Sequence, residues 1–581
     1  MDVKTKEIDT DVLVIGSGAA GLWAAIRARD FCPRVTVVDK GKVGRSGATA
    51  HTHCILAPVA EEILYPAMKE IVVHAAYLCD QEWIASMLTQ HGARLGEMEG
   101  WGVPFERESS GKLHVAKDRK QVVNSSVYVL GSIMMDKMKE HAQNKGVDFV
   151  ERVMAVDLLT SDGQYPTEGR VAGAVGLHPR TGEMYLIRAK AVIITTGTIS
   201  GKLHTNYLDN ITGDGQAMAF RAGAELSTLE FGFTPSFPIW ERKIWGGHPA
   251  VFQLYGARLV NREGETFMEK YFPGQTLQMS SMVDIGQAIA KEALEGRGPI
   301  YFDLSSWTDE TVAMLRRILP SMMKKFDEVG IDLGKQRLET MPLIARWGGG
   351  GLGGIRINTT GESAVSGLYA AGVSAHVPID SGGMTGVPQA MCFFSGYTAG
   401  ENAGRTALEV GDTNPQSSQV EALKQAIFSP LGRGRGPTPR DIYLAVNKVT
   451  IPAEYSFIKS EERIKATLAE VKRVQEELPM VKASDTHELV MAHEARNFAL
   501  MAEAVYRCAL ERKESRLSHY RQDFPYRDDL DWLKWTVLKR GKTGIEASFE
   551  PIPIEEYPIK PAERLRIPAP IQFDWEGGKT N

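Results

Sequence analysis

The chain has 581 residues, of which 43% are hydrophobic and 24% charged, and a formal net charge of −5. This length predicts several domains, and the small net charge favours neither nucleic acid nor an anionic membrane surface as a partner. The five cysteines are scattered and form no CxxC pair, so the sequence predicts no disulfide framework and no iron–sulfur or zinc site built from this chain alone.

The N-terminal segment is polar up to the first predicted strand. It lacks the apolar core of a signal peptide, and no run in the chain approaches the roughly 20 apolar residues of a membrane helix. The sequence therefore predicts a cytoplasmic protein with no direct membrane insertion.

The first predicted element is a dinucleotide-binding unit. An apolar run of strand length leads into Gly16, Gly18 and Gly21 in GxGxxG spacing, and a stretch of helical composition follows. The first glycine permits a tight turn, the second lets the backbone approach a pyrophosphate, and the third lets the helix pack on the strand. A second strand ends in Asp39, about 20 residues on, where ribose hydroxyls require an acceptor. Together these features predict a site for an adenine dinucleotide.

A loop of small residues, 44–50, follows the second strand, and its backbone N–H groups are suited to a phosphate or the edge of a flavin ring. His51, His53 and Cys54 come next at a spacing that resembles a metal site. Nothing nearby supplies further ligands, so no metal is predicted.

Further strands are predicted around 147–158, in a hairpin over 169–188, and at 189–197, where a buried strand ends in a turn of small residues. Asp214 follows a glycine turn and is expected to cap the next helix. Aromatic residues then cluster from residue 226 onward, which indicates an inserted domain that ends near residue 352.

The rest of the chain is predicted to be mainly helical. A polar linker is expected to begin at Gly400 and to run to about Val420, and apolar residues recur at three and four over 438–448, 459–478 and 485–513. The charged, proline-rich tail from residue 514 is expected to extend over a partner or over the body of the protein.

Eight short motifs carry a resemblance to a known family. They lie at 16–21, 45–48, 196–197, 212–215, 267–271, 352–355, 367–372 and 512–516. In this order they resemble the FAD-containing flavoprotein subunit of the succinate dehydrogenase, fumarate reductase, aspartate oxidase and adenylylsulfate reductase superfamily. The tail, at 516–529 and 532–535, is most similar to the alpha chain of adenylylsulfate reductase.

The resemblance implies an α/β fold with a Rossmann-like FAD-binding domain, an inserted capping domain and a C-terminal helical domain. It also implies that FAD is the cofactor and that the electron partner is an iron–sulfur, ferredoxin-like subunit in a hetero-oligomer of anaerobic metabolism. The predicted domains are 1–225 and 353–412 for FAD binding, 226–352 for the cap, 420–520 for the helical domain and 521–581 for a C-terminal extension.

The predicted cofactor-binding residues combine the fingerprint with the family motifs. Succinate dehydrogenases attach FAD through a histidine after the Arg-Ser of the loop, and Gly47 occupies that place, so FAD is expected to be held without a covalent bond. The predicted set is Gly16, Gly18, Ala19, Ala20, Gly21, Asp39, Lys40, Arg45, Ser46, Gly47, Ala48, Ala155, Thr196, Gly197, Asp214, Gly372 and Gln389.

The substrate positions depart from the family pattern. Thr234 stands where the dicarboxylate enzymes use a histidine, and residues 278–283 contain no arginine where those enzymes have one. Trp347 and a run of glycines replace a His-Tyr segment, and Met384 or a neighbouring glycine replaces a clamping arginine. Fumarate, succinate and adenylylsulfate are therefore poor substrate candidates, and an apolar conjugated enoate, an aromatic compound or a thioester is favoured.

The candidate catalytic residues are Tyr255, Arg346, His376 and Asp380. In one hypothesis, the chain is the catalytic subunit of an FAD-dependent oxidoreductase that transfers hydride between flavin N5 and such a substrate. In the other, it is an electron-transfer flavoprotein subunit that relays or splits electrons and has no substrate chemistry of its own. A third interpretation is an enzyme like adenylylsulfate reductase. An open cavity over N5 favours the first, and one plugged by Trp347 or Met384 favours the second.

Overall fold

The computed structural model describes residues 3–117, 125–202, 210–233, 238–240, 244–245, 252, 255–340, 346–347, 352–379, 384 and 386–573. The strands are β1 Thr5–Ile15, β2 Val35–Asp39, β3 Cys54–Leu56, β4 Val115–Lys117, β5 Ser125–Tyr128, β6 Asp148–Glu151, β7 Met154–Thr160, β8 Val171–Leu177, β9 Met184–Ile194, β10 Leu226–Ser227, β11 Gly232–Phe233, β12 Pro238–Trp240, β13 Ile244–Trp245, β14 Arg258–Val260, β15 Ile300–Asp303, β16 Arg337–Thr340, β17 Arg346–Trp347, β18 Gly354–Arg356, β19 Leu368–Ala370, β20 Ala375–His376, β21 Tyr526–Asp528, β22 Lys534–Arg540, β23 Ile545–Pro551 and β24 Arg566–Pro568.

The α-helices cover both the body and the C-terminal region. They are α1 Ala19–Ala28, α2 Leu64–His74, α3 Gln81–Gly100, α4 Gly131–Asn144, α5 Asp214–Ala222, α6 Met268–Tyr271, α7 Met282–Glu292, α8 Asp309–Ile318, α9 Pro320–Glu328, α10 Val387–Glu409, α11 Ser417–Phe428, α12 Pro439–Thr450, α13 Ala453–Ser456, α14 Glu461–Glu477 and α15 Thr486–Glu511.

A seven-stranded sheet forms the centre of the body, in the order β6-β2-β1-β9-β8-β7, with β19 also paired to β9. β1 is parallel to β2 and to β9, whereas β7, β8 and β9 pair in antiparallel fashion. The strand, turn, helix and second strand predicted for the fingerprint are β1, α1 and β2. The predicted hairpin is β8 and β9, but the strand predicted separately at 189–197 is not a separate element, because β9 continues through it to Ile194. The carboxyl ends of β1, β2 and β9 meet at one edge, where a doubly wound sheet binds ligands.

The predicted linker at Gly400 is wrong, because α10 continues through this residue to Glu409. A Cβ atom on Gly400 would lie 2.3 Å from the carbonyl oxygen of Ala24, and one on Gly396 would lie 2.4 Å from that of Ala20. These glycines are contact points at which α10 packs closely on α1. Glycine here serves helix packing rather than chain flexibility.

The region predicted as the cap contains a five-stranded antiparallel sheet in the order β13-β12-β16-β15-β14. Part of the predicted aromatic cluster packs in its core, where the ring of Phe252 lies 5.1 Å from that of Phe302 and 5.6 Å from that of Trp307. The first residues of this region, in β10, instead pair with β18 and β22 outside it. The domain boundaries themselves stay predictions.

The C-terminal region has α12, α14 and α15 at the three predicted helical stretches. The tail packs on the body of its own chain, since β22 pairs with β10 and continues into β23. The side chains of Leu533, Trp535 and Ile552 are buried against Phe231 and Leu78. No helix within the described residues has the length and apolar character needed to cross a membrane.

Candidate dinucleotide and active site

An open cavity with an empty volume of about 910 Å³ lies at the carboxyl edge of the central sheet. All but three of the predicted cofactor residues line it; the exceptions are Gly21, Arg45 and Gln389. The lining residues from the prediction are Gly16, Gly18, Ala19, Ala20, Asp39, Lys40, Ser46, Gly47, Ala48, Ala155, Thr196, Gly197, Asp214 and Gly372. The structure thus brings separate segments of the chain to one site.

The fingerprint glycines have the roles that their spacing predicts. Gly16 has φ +104°, and a Cβ atom there would lie 2.5 Å from the carbonyl oxygen of Thr195. Gly21 lies outside the cavity, in α1, where a Cβ atom would come within 2.1 Å of the Gly16 carbonyl oxygen. Gly18 faces the cavity, and its Cβ atom would meet only Thr49 Oγ1, at 3.6 Å. The backbone at Gly18 is therefore open to a ligand.

Asp39 lies in the cavity wall, and its side chain is held by the neighbouring loop. Its Oδ2 accepts hydrogen bonds from the backbone N–H of Ser17 at 2.9 Å and from Ser17 Oγ at 2.5 Å. Its Oδ1 accepts from the N–H of Gly41 at 2.7 Å and from Ser46 Oγ at 2.6 Å. Because two of the four donors are hydroxyl groups that rotate, ribose hydroxyls can replace them without moving the carboxylate.

Lys40 joins two carboxylates beside the cavity. Its Nζ lies 2.8 Å from Asp214 Oδ2, 2.7 Å from Glu494 Oε1 and 3.0 Å from Thr212 Oγ1. Burial by itself lowers the pKa of Lys40, but Asp214 and Glu494 outweigh it and raise that pKa above its usual value. Asp214 does not cap α5 as predicted, since Gly213 is at the cap and Asp214 is the first helical residue. The ion pair with Lys40 fixes its side chain instead.

Arg45 and Gln389 do not line the cavity. Arg45 is exposed, and its Nη2 forms an ion pair with Asp136 Oδ2 at 2.5 Å. Gln389 lies in the first turn of α10, and its Oε1 is buried with no hydrogen-bond partner among the described protein atoms. Gly47 does line the cavity, and a Cβ atom there would meet no described protein atom within 4 Å.

Two of the candidate catalytic residues have well-defined surroundings. Tyr255 is half-buried, and its hydroxyl lies 2.6 Å from the hydroxyl of Tyr128 in β5. His376 is buried, its Nδ1 lies 2.5 Å from the carbonyl oxygen of Leu352, and its ring packs edge-on against Trp535 at 5.3 Å. Burial lowers the pKa of His376 to about 4, so it is neutral near pH 7. His376 faces the tail rather than the cavity lining.

For the other two candidates, the structure describes only the backbone of Arg346. Arg346 lies in β17, and its backbone pairs with Phe233 in β11. Asp380 is outside the described residues. Within the described part of the chain, no group of three or more His, Cys, Asp or Glu residues is arranged to hold a metal ion. Tyr255 and His376 are not among the described residues that line the cavity.

A family model described as an FAD binding domain matches residues 11–389, and one described as the fumarate reductase flavoprotein C-terminus matches residues 449–566. The first match covers more than half of the chain. The chain belongs to the FAD binding domain family. It is an FAD-dependent oxidoreductase, and the superfamily, fold and FAD cofactor predicted from the motifs are confirmed.

Relatives of this flavoprotein align along nearly their whole length. A fumarate reductase (CoM/CoB) subunit from Methanothermobacter marburgensis is 26% identical, over 92% of this chain and 97% of the relative. The fumarate reductase flavoprotein subunit of Mycobacterium tuberculosis is 26% identical, over 96% and 99%. Among solved structures, the FrdA chain of E. coli quinol fumarate reductase has a TM-score of 0.83 at 22% identity, covering 97% of this chain and 99% of that chain. Adenylylsulfate reductase from Archaeoglobus fulgidus has a TM-score of 0.76 at 22% identity, covering 95% and 97%.

The cavity of this flavoprotein fits FAD in its polar chemistry. Thr196 Oγ1 and Thr198 Oγ1 are buried in its wall with no hydrogen-bond partner among the described protein atoms. Since buried hydroxyls normally form hydrogen bonds, these two are suited to the polar atoms of the cofactor. Gly16 and Gly18 bring backbone close to the place of a pyrophosphate, and Asp39 provides an acceptor for ribose.

Sequence reasoning missed several residues of the flavoprotein site. Ser17, Thr49, Thr198 and Cys392 line the cavity but are absent from the predicted set of cofactor-binding residues. Ser17 and Thr49 lie next to predicted residues, so the fingerprint and loop motifs were a usable signal for them. Glu494 is 454 positions from Lys40 in the chain. The same helix, α15, also contains the charged residues Arg496 and Glu503, so no signal in the sequence singles out Glu494.

Proposed function

We propose that this flavoprotein is the FAD-carrying subunit of an oxidoreductase that acts on a conjugated enoate, an aromatic compound or a thioester, and not on a dicarboxylate. We further propose that it exchanges electrons with a ferredoxin-like iron–sulfur subunit. In support, several relatives are named as one subunit, often the flavoprotein subunit, of a larger enzyme. Bound FAD supplies hydride transfer at N5, and the protein orients the substrate and provides a proton.

Residues 278–283 carry the proposal, because the family resemblance places an arginine there. Gln278 donates from Nε2 to the carbonyl oxygen of Ala257 at 3.0 Å. Ser281 caps α7 by accepting from the N–H of Asp284 at 3.0 Å, and Met282 is buried. A closed dicarboxylate site needs cationic partners, since an unpaired buried carboxylate costs several kcal/mol. Neutral side chains at this segment favour a substrate with at most one carboxylate.

Tyr255 is the proton donor in this proposal. Its hydroxyl joins the capping region to β5 of the body through Tyr128, at 2.6 Å. Burial raises the pKa of both phenols, so both are protonated at neutral pH. A protonated phenol can donate to a substrate carbanion or enolate that forms when hydride adds to a conjugated double bond. In this proposal Tyr255 is the acid, and Tyr128 fixes the orientation of its hydroxyl.

The substrate class is tested by anaerobic reoxidation. The bound flavin is photoreduced and mixed in turn with fumarate, adenylylsulfate, aromatic acids, thioester enoates and a ferredoxin, and its absorbance is followed. We expect one conjugated compound to reoxidise the flavin at least about tenfold faster than fumarate does, a difference of about 1.4 kcal/mol in barrier. Rapid reoxidation by fumarate would show that other residues of the protein bind the dicarboxylate in place of the missing arginine. If only a ferredoxin reoxidises the flavin, the chain is an electron relay.

The Tyr255→Phe variant tests the proton donor. Loss of a general acid typically slows the chemical step by about 10²- to 10⁴-fold, so reoxidation by the accepted substrate should slow by this order. FAD content and the photoreduction rate should stay unchanged. Tyr271→Phe is the matched control, because it removes a tyrosine hydroxyl from the same region, and the partners of that hydroxyl are Glu292 and Arg297. Equal reoxidation rates for Tyr255→Phe and the unmodified protein would remove Tyr255 from the mechanism.

A further inference from the structure

We propose that helix α15 of the C-terminal helical region positions residues of the FAD site and so contributes to FAD binding. Among the described residues that line the cavity, none comes from α15. The helix acts instead through Glu494 and Asn497, which hold Lys40 and Asp214 in the cavity wall. Glu494 and Asn497 are thus positioning residues for the cofactor, and the inference is independent of which substrate the enzyme accepts.

The hydrogen bonds of Lys40 are the first support. An ammonium group has three N–H donors, and the Nζ of Lys40 has three protein partners, namely Asp214, Glu494 and Thr212, at 2.8, 2.7 and 3.0 Å. Lys40 therefore has no spare N–H for a phosphate of FAD. Its role is to tie the end of β2 to α5 and α15, so that the cavity wall has a fixed shape.

Asp214 is held by the same helix. Its Oδ1 accepts a hydrogen bond from Asn497 Nδ2 at 2.9 Å, while Asn497 Oδ1 accepts one from Arg221 Nη1 at 2.8 Å. Glu494 and Asn497 are three residues apart, which places them on one face of α15. The single helix face thus orients the carboxylate of Asp214 and the ammonium of Lys40, both of which line the cavity.

Glu494 is the most important of these residues for the charge balance beside the cavity. Its Oε2 also lies 2.7 Å from Lys202 Nζ, so the charged groups alternate in sign along Lys202, Glu494, Lys40 and Asp214. The side chain of Glu494 is 4% exposed and that of Asp214 is 7% exposed. Without the charge of Glu494, Lys202 loses this carboxylate partner and Lys40 keeps only that of Asp214 in a poorly solvated place, so Lys40 and Asp214 lose their fixed positions.

Thermodynamic coupling between the docking of α15 and the binding of FAD is reciprocal. If docking of α15 improves FAD binding, then FAD binding must stabilise the docking of α15 by the same factor. The unmodified protein allows this to be measured by hydrogen–deuterium exchange, with and without FAD. We expect FAD to slow exchange in peptides from 486–511 as well as in those from 11–28. Protection of 11–28 without any change in 486–511 would overturn the proposal.

The Glu494→Gln variant measures the size of the coupling. We expect the Kd of the apoprotein for FAD to rise by about 10- to 100-fold, the range for loss of a hydrogen bond to a charged group. Glu503→Gln is the matched control: Glu503 is a mostly buried glutamate of α15 that pairs with Gln475, and it should change the Kd less than about twofold.

A double-mutant cycle separates positioning from general loss of stability. If Glu494 acts through Lys40, then Lys40→Gln combined with Glu494→Gln should weaken FAD binding no more than the stronger single variant does. Additive losses, or an unchanged Kd in a folded Glu494→Gln protein, would overturn the proposal. If Glu494→Gln does not fold, the exchange experiment on the unmodified protein decides.

Discussion

Replacement of Glu514 by alanine is expected to lower the stability of the protein by roughly 3–5 kcal/mol, the usual cost of removing one partner from a buried ion pair. Glu514 accepts from Arg512 Nη1 at 2.8 Å, from Arg516 Nε at 2.8 Å and Nη2 at 2.9 Å, and from the N–H of Asp528 at 2.9 Å. The side chains of Glu514 and both arginines are completely buried. Alanine leaves four donors without this acceptor.

The remaining carboxylates of this cluster do not replace Glu514. Glu230 already binds Arg512 Nε at 2.6 Å, and Asp529 already binds Arg516 Nη2 at 2.8 Å. Both guanidinium groups therefore keep one partner and lose another inside the protein. The motif at 512–516 is one of those that carry the family resemblance. Its contacts stabilise the packing of the tail, and its residues do not line the cofactor cavity.

The measurement is the midpoint of thermal and urea unfolding of the FAD-loaded protein. Glu477→Ala serves as the control, because Glu477 pairs with Arg473 on an exposed helix surface, where such a pair is worth less than about 1 kcal/mol. We expect a clearly lower midpoint for Glu514→Ala and nearly no change for Glu477→Ala. Equal midpoints for the two variants would show that the buried network contributes little net stability.

Gly21→Ala is expected to weaken FAD binding by about 10- to 100-fold, in line with an overpacking cost of about 1–3 kcal/mol. The added Cβ atom would lie 2.1 Å from the carbonyl oxygen of Gly16 and 2.7 Å from Thr195 Oγ1. Because these two neighbours follow the ends of β1 and β9, α1 must move away from the sheet. That movement displaces the helix N-terminus and Gly18 from the place of the pyrophosphate.

FAD titration of the apoprotein, followed by flavin fluorescence, checks this expectation. Gly96→Ala is the control, because Gly96 lies within α3 and its Cβ atom would meet no described atom within 4 Å. Alanine inside a helix is favoured over glycine, so this variant should bind FAD normally and be no less stable. Unchanged FAD affinity in Gly21→Ala would show that helix and strand adjust without cost to the cofactor.

Much of the cofactor site follows from short stretches of sequence. Gly16, Gly18 and Gly21 lie within six residues of one another, and Asp39 ends the next strand, so their spacing alone places them at one sheet edge. The apolar repeat of three and four likewise predicts α12, α14 and α15. These features are local: the backbone geometry of a turn, a strand or a helix determines which residues come together.

The tertiary structure decided what joins distant parts of the chain. Gly400 has the composition of a linker, yet it lies inside α10 because α1 packs against it. Tyr128 and Tyr255 are 127 positions apart, and Lys40 and Glu494 are 454 apart. Periodicity and spacing describe each partner's own helix or strand but carry no information about which distant segment faces it. The sequence by itself therefore determined the fingerprint and its cofactor, whereas only packing between segments decided that a C-terminal helix holds the wall of the FAD cavity.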